Sequence, residues 1–166
     1  MSTADLQRAK VYEAEALVRR IFDRSADFPI VEVAGSSITL PPERKFATLE
    51  SVQAYVDQVL ALNWVGERWS RASLPVAVRS RAGQGGAHYE RIPPVIAVPL
   101  HRGGTAWALR ELVVLHEISH HLAEQDEVHH GRQFTGRMVD LVDGIVGAEA
   151  AFLLRVTLLD VGAGVG

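Results

Sequence analysis

The sequence predicts an α+β fold: a small, mostly antiparallel sheet packed against one apolar helix and a set of C-terminal helices. Three features predict it. Apolar residues recur at three-and-four spacing near the start, over residues 48–62 and through the last third of the chain, as amphipathic helices require. Short β-branched runs bounded by Gly and Pro lie between them and read as strands. The resulting order is helix, hairpin, helix, further strands, helix, terminal helices.

Residues 1–24 read as the first helix, with Val11, Ala14, Val18, Ile21 and Phe22 on one face and Ser2 or Thr3 as its cap. Residues 28–40 read as a hairpin with Gly35-Ser36 in its middle, closed by Pro41-Pro42. The second helix spans 48–62, with Leu49, Val52, Val56, Val59 and Leu60 sharing a face. Thr48 is its N-cap, and Glu50 lies in the first turn, where the dipole favours a carboxylate. Residues 74–80 form an apolar strand, and Gly83, Gly85 and Gly86 a turn. Residues 88–91 and 95–100 come next as strands around Pro93-Pro94, which places this part at a sheet edge or bulge. Gly103-Gly104 breaks the chain. Thr105 caps a long helix over 106–124, a polar loop covers 125–130, and residues 131–160 form two helices or one kinked around Gly144 and Gly147.

A chain of 166 residues fits one domain and buries roughly 70% of its unfolded surface. Hydrophobic residues make up 48% and charged residues 22%, ordinary values for a globular protein. Cysteine is absent, which excludes disulfides, thiolate metal sites and a cysteine nucleophile. Any metal must therefore be held by His, Asp or Glu. Asp5, Arg8, Lys10, Glu13 and Glu15 interrupt the first twenty residues, so no signal peptide is read there. No run approaches the roughly 20 apolar residues of a membrane span; residues 150–159 are too short, and Arg155 cuts them. Cytoplasmic residence and no membrane partner are the expectations. The net charge of −3 gives no footprint for nucleic acid. Arg68, Arg71, Arg79, Arg81 and Arg91 read as a solvated sheet surface.

The chemistry concentrates in His116-Glu117-Ile118-Ser119-His120. Residues four apart on a helix share a face, so His116 and His120 can aim nitrogens at one ion, and zinc accepts such ligands. Glu117 stands beside them as the general base of an H-E-x-x-H site. Leu109, Leu112 and Val113 lead into the motif on the same face, which carries the imidazoles towards the core. A plain pair of core histidines would need a hydrogen-bond partner for every ring nitrogen, and each unmet one costs roughly 1–3 kcal/mol. The third metal ligand is assigned to His130, at the corner before the helix bearing Phe134, Met138, Leu141 and Ile145. His129 is its immediate rival. Asp126 stands six residues after His120, as in H-E-x-x-H-x-x-G-x-x-H, but Ala123 occupies the glycine position. Glu149 on the next helix is the remaining candidate.

H-E-I-S-H-H-L-A, with V-H-H-G-R-Q-F after it, resembles small actinobacterial H-E-x-x-H metallohydrolases, a zincin-type family, and the likeness extends to the early R-A-K-V-Y-E-A-E helix. The later H-G-x-x-F is also similar to SprT-like metalloproteases, where the His before that Gly is the third zinc ligand; this implies His130. The loop between the second and third His is shorter here, and the basic or zinc-binding tail of many SprT-like proteins is missing. The resemblance implies a zincin-like fold, a zinc cofactor and hydrolysis of a peptide or protein substrate. Zincins bind extended peptide along an edge strand beside the active helix, a role for which residues 95–100 qualify. Tyr89, Arg91, His121 or the unused one of His129 and His130 would stabilise the oxyanion, and Asp140 or Asp143 would support His116 and His120. Two other functions fit the same motif: a regulatory protease for one dedicated protein, and a non-catalytic protein with a structural zinc.

Overall fold

The computed structural model describes residues 5–82, 85–99 and 109–166. The elements in chain order are α1 (Arg8–Ser25), β1 (Ile30–Val33), β2 (Ser36–Thr39), α2 (Leu49–Leu60), α3 (Asn63–Arg68), a 3-10 turn at Ser70–Ser73, β3 (Ala77–Arg81), β4 (His88–Glu90), β5 (Val95–Pro99), α4 (Glu111–His121), α5 (Arg132–Ile145) and α6 (Ala148–Asp160). The class is α+β, as expected, with small sheets. Among the described residues β1–β2 and β4–β5 pair antiparallel and β3–β5 pairs parallel. No helix among them is long and apolar enough to cross a membrane. The expected caps Ser2, Thr3 and Thr105, the Gly83 turn residue and the Gly103-Gly104 break lie outside the described residues. The elements gather into two compact units, one of residues up to Glu43 with Gln125–Gly166 and one of Arg44–Glu124.

In the first unit α1 buries the expected stripe of Val11, Ala14, Val18 and Phe22. Both α1 and α5 pack on α6, whose Ala150, Ala151, Leu153, Leu154 and Leu158 are buried. A helix apolar on most sides suits such a central place. The segment after Gly131 is two helices and not one kinked helix. Gly147 separates them at φ +148°, a backbone state that only glycine adopts without strain. The β1–β2 hairpin turns at Ala34-Gly35, one residue earlier than expected, because Val33 pairs with Ser36. Both turn residues have positive φ, 49° and 80°, the combination that matches the twist of a two-residue hairpin. The residues after α6 pack as well. Ala163 and Val165 are buried, the Gly166 amide donates to Arg132 O at 2.9 Å, and the Gln7 amide exchanges two bonds with the Gly164 backbone.

In the second unit Thr48 and Ser51 form a reciprocal cap at the start of α2, which satisfies amide groups that have no partner within the helix. Tyr55 and the apolar Val52, Val56 and Val59 are buried, and α2 packs on β3 and α4. The side-chain amide of Gln53 donates to Val76 O and accepts from Val78 N, both at 2.8 Å. The sheet order is β3–β5–β4. This corrects the placement of residues 95–100 at an edge: β5 is the central strand, with Ile96, Ala97 and Val98 fully buried. The prolines precede the strand in the 91–94 turn, so they remove no ladder donor, and V-I-A-V suits a strand paired on both sides. The edge strand packed against α4 is β4. The start of α4 also differs from expectation. Arg110 is extended and bridges Lys45, and the flanking backbone is tied to residues 44–46: Phe46 N donates to Leu109 O and Glu111 N to Arg44 O, at 2.8 and 2.9 Å. The helix therefore begins at Glu111; residues 106–108 of the expected span lie outside the described residues.

Candidate metal centre

Every residue of α4 except His120 is buried. A helix this enclosed needs its polar groups met, and both of its ends show how. At the N-terminal end Glu111, 1% exposed, accepts hydrogen bonds from Arg44 N at 3.2 Å, Arg44 Nη1 at 2.9 Å and the Tyr55 hydroxyl at 2.5 Å. Its charge in the first turn also complements the helix dipole. At the C-terminal end Arg71 Nε donates to His121 O at 2.7 Å. The His121 ring lies between Leu74 O, 3.0 Å from Nε2, and the Tyr89 hydroxyl, 2.7 Å from Nδ1. A carbonyl only accepts, so Nε2 carries the proton and Tyr89 donates to Nδ1. Arg71 Nη2 in turn donates to the Tyr89 oxygen at 3.1 Å. Burial above all, with the nearby Arg71 and Arg91 charges adding to it against the opposing bond to Leu74, lowers the His121 pKa from 6.5 to about 4. The ring is neutral at pH 7.

Between these anchors lies the His116–His120 motif. His116 Nε2 and His120 Nε2 are 3.2 Å apart, their rings tilted by 70° with centroids 4.9 Å apart. Two tetrahedral ligands at about 2.0–2.1 Å from zinc would stand about 3.3 Å from each other. Glu117 Oε1 lies 4.0 Å from His116 Nε2, and both side chains are buried. His130 is buried at the corner before α5. Its Nδ1 donates to Asp5 Oδ2 at 2.6 Å, and its ring packs against Tyr12 and Phe134, with centroids 5.3 and 5.1 Å away. One nitrogen from each of His116, His120 and His130 lies within 4.8 Å of the others. These three histidines can hold a metal ion.

His129, Asp126 and Glu149, the rival third ligands, are exposed and stand outside this cluster. Of the expected oxyanion donors, Tyr89 and His121 are engaged with each other, and Arg91 Nη1 donates to Ala123 O at 3.0 Å. Asp143, expected to support the ligands, is exposed. Asp5, whose carboxylate meets His130, was missed by sequence reasoning. It precedes His130 by 125 positions, and no local pattern marks such a pairing. The chain matches no family model, no curated protein and no solved structure.

Proposed function

We propose that the chain is a zinc-dependent hydrolase of zincin type, a metallopeptidase acting on a peptide or protein substrate in the cytoplasm. The observation that carries this reading is the convergence of three imidazole nitrogens within 4.8 Å, with the Glu117 carboxylate 4.0 Å from one of them. An all-nitrogen set suits zinc among the common divalent ions. On this reading three histidines hold the ion and water takes the fourth position, the arrangement that catalytic zinc sites use.

The chemistry a zinc ion would supply there is Lewis acidity, which makes water nucleophilic near neutral pH and polarises a carbonyl. The residues of the chain do the rest. His116 and His120 hold their positions because α4 is fixed at both ends. Glu117 lies on the same helix with its carboxylate turned to His116. It takes the proton of the attacking water and returns it to the leaving amine. Buried almost completely, it does so in a low dielectric where charge interactions are strengthened. The edge strand β4 packs against α4 and offers an extended backbone rim on which a peptide can lie. This moves the substrate role from residues 95–100 to residues 88–90.

The test is metal content and turnover measured together. Purified protein is expected to bind one zinc per chain and to cleave peptides from a library. Glu117→Gln should keep the zinc and lose about 10²–10⁴-fold in turnover, because Glu117 is not a ligand. Wild-type turnover in that variant, or a chain that takes up no zinc, would sink the proposal. Turnover of one protein only, with the library left intact, would instead favour the dedicated regulatory protease.

A further inference from the structure

We infer that Asp5 is a positioning residue of the metal centre: its carboxylate holds His130 in the tautomer and ring orientation that present Nε2 to the ion. The inference rests on the zinc reading above and deepens it. The Nδ1–Oδ2 separation of 2.6 Å is within hydrogen-bonding distance, and bonds to an ionised carboxylate are among the stronger ones. An ionised carboxylate can only accept, so the nitrogen facing it must carry the proton. A metal ligand is the neutral imidazole, and in that form the lone pair then falls on Nε2. The same bond raises the electron density of the ring and strengthens it as a metal ligand.

The surroundings of the pair make the arrangement rigid. The His130 side chain is 6% exposed and that of Asp5 26%, so water competes little for the bond. Tyr12 and Phe134 contact the imidazole with planes inclined at 55° and 70°, which fixes its rotation about Cβ–Cγ. Asp5 is itself held in place by its chain neighbours. Two residues on, Gln7 stands at the N-cap of α1 and bonds to the Gly164 backbone through both atoms of its amide. The α1 stripe then anchors this segment on α6. A carboxylate near the start of the sequence is thus placed on a histidine near position 130 by the packing of the first unit alone.

Two readouts test this on the intact chain. The first is the tautomer of His130 in the metal-free protein, from long-range nitrogen–proton correlations of the imidazole. The wild type should show the proton on Nδ1. Asp5→Ala should move it largely to Nε2, whereas Asp5→Asn, whose carbonyl can still accept, should leave it in place. The second readout is zinc affinity by competition with a chromophoric chelator. Asp5→Ala should weaken zinc about 10–100-fold and Asp5→Asn by a smaller factor, with both variants checked for wild-type melting as apoproteins. Unchanged zinc affinity in a folded Asp5→Ala overturns the inference, whatever the tautomer. If the Ala variant does not fold, Asp5→Asn decides in the same way. A wild type that fails to bind zinc overturns the underlying zinc reading instead, so the two failures are told apart.

Discussion

At the scale of single residues, the doubled histidine after the motif shows how neighbours in sequence divide their roles. His120 turns its ring to His116, while His121 turns its own to Leu74 and Tyr89. Successive helix residues point about 100° apart, so one ring meets the cluster and the next meets the sheet side. The sequence made both visible as histidines but gave no sign that the second is structural, because its partners stand 32 and 47 positions away. Its depressed pKa has a consequence for stability. The unfolded chain takes up a proton on His121 near pH 6.5, whereas the folded chain resists until about 4. The unfolded state therefore binds more protons in that window, and stability falls as pH drops through it. Above about 6.5 the contribution is fully present; below about 4 it is fully lost. Denaturant melts of the metal-free protein between about pH 7 and 4 should show a steeper loss for wild type than for His121→Gln. Parallel slopes would show that this ring is not the group responsible.

At the scale of elements, α4 was legible as a helix but its beginning was not. The apolar run before His116 suggested a start near 106, yet Arg110 is held extended, and Leu109 is bonded, by residues 44–46. Tertiary pairing overrides local propensity here, and the acceptor that makes it possible is Glu111. That side chain gathers the Arg44 backbone, the Arg44 guanidinium and the Tyr55 hydroxyl. Glu111→Ala removes the carboxylate that accepts from the Tyr55 hydroxyl and the Arg44 amide, at about 1–3 kcal/mol, read as a lower midpoint in urea. Tyr55→Phe in the Glu111→Ala background should then cost little more. If Glu111→Ala is neutral, the anchor is not what fixes the start of α4. The strand at 95–99 was legible for a similar reason and misplaced for another. Its residues announced a strand, but the proline pair preceding it was read as part of the pairing region when it lies in a turn.

At the scale of the whole molecule, the sequence disclosed the class and the order of elements, apart from α3 and the 3-10 turn after it. It did not disclose that the first and last parts of the chain build one compact unit and the middle portion another. Gln7 and Gly164 are 157 positions apart, and nothing in composition links them. The three histidines that cluster were legible from spacing and context, because two lie on one helix and the third stands at a strong corner signal, His130-Gly131. If they bind zinc only when folded, zinc stabilises the fold by mass action. At about a hundredfold excess over its dissociation constant the gain is about 2.7 kcal/mol, or about 5–10 °C in melting temperature for a chain of this size. Scanning calorimetry with and without a chelator should show that difference for wild type and almost none for His116→Ala with His120→Ala.

The bridging side chain of Gln53 has its own consequence. An outer strand with bare peptide groups is an invitation for another copy to zip on and start a fibre. Where β3 begins, the carbonyl of Val76 just before it and the amide of Val78 within it already belong to Gln53, so a newcomer finds the first rung of that ladder occupied. One glutamine on a neighbouring helix thereby helps to keep crowded copies of the chain from sticking together.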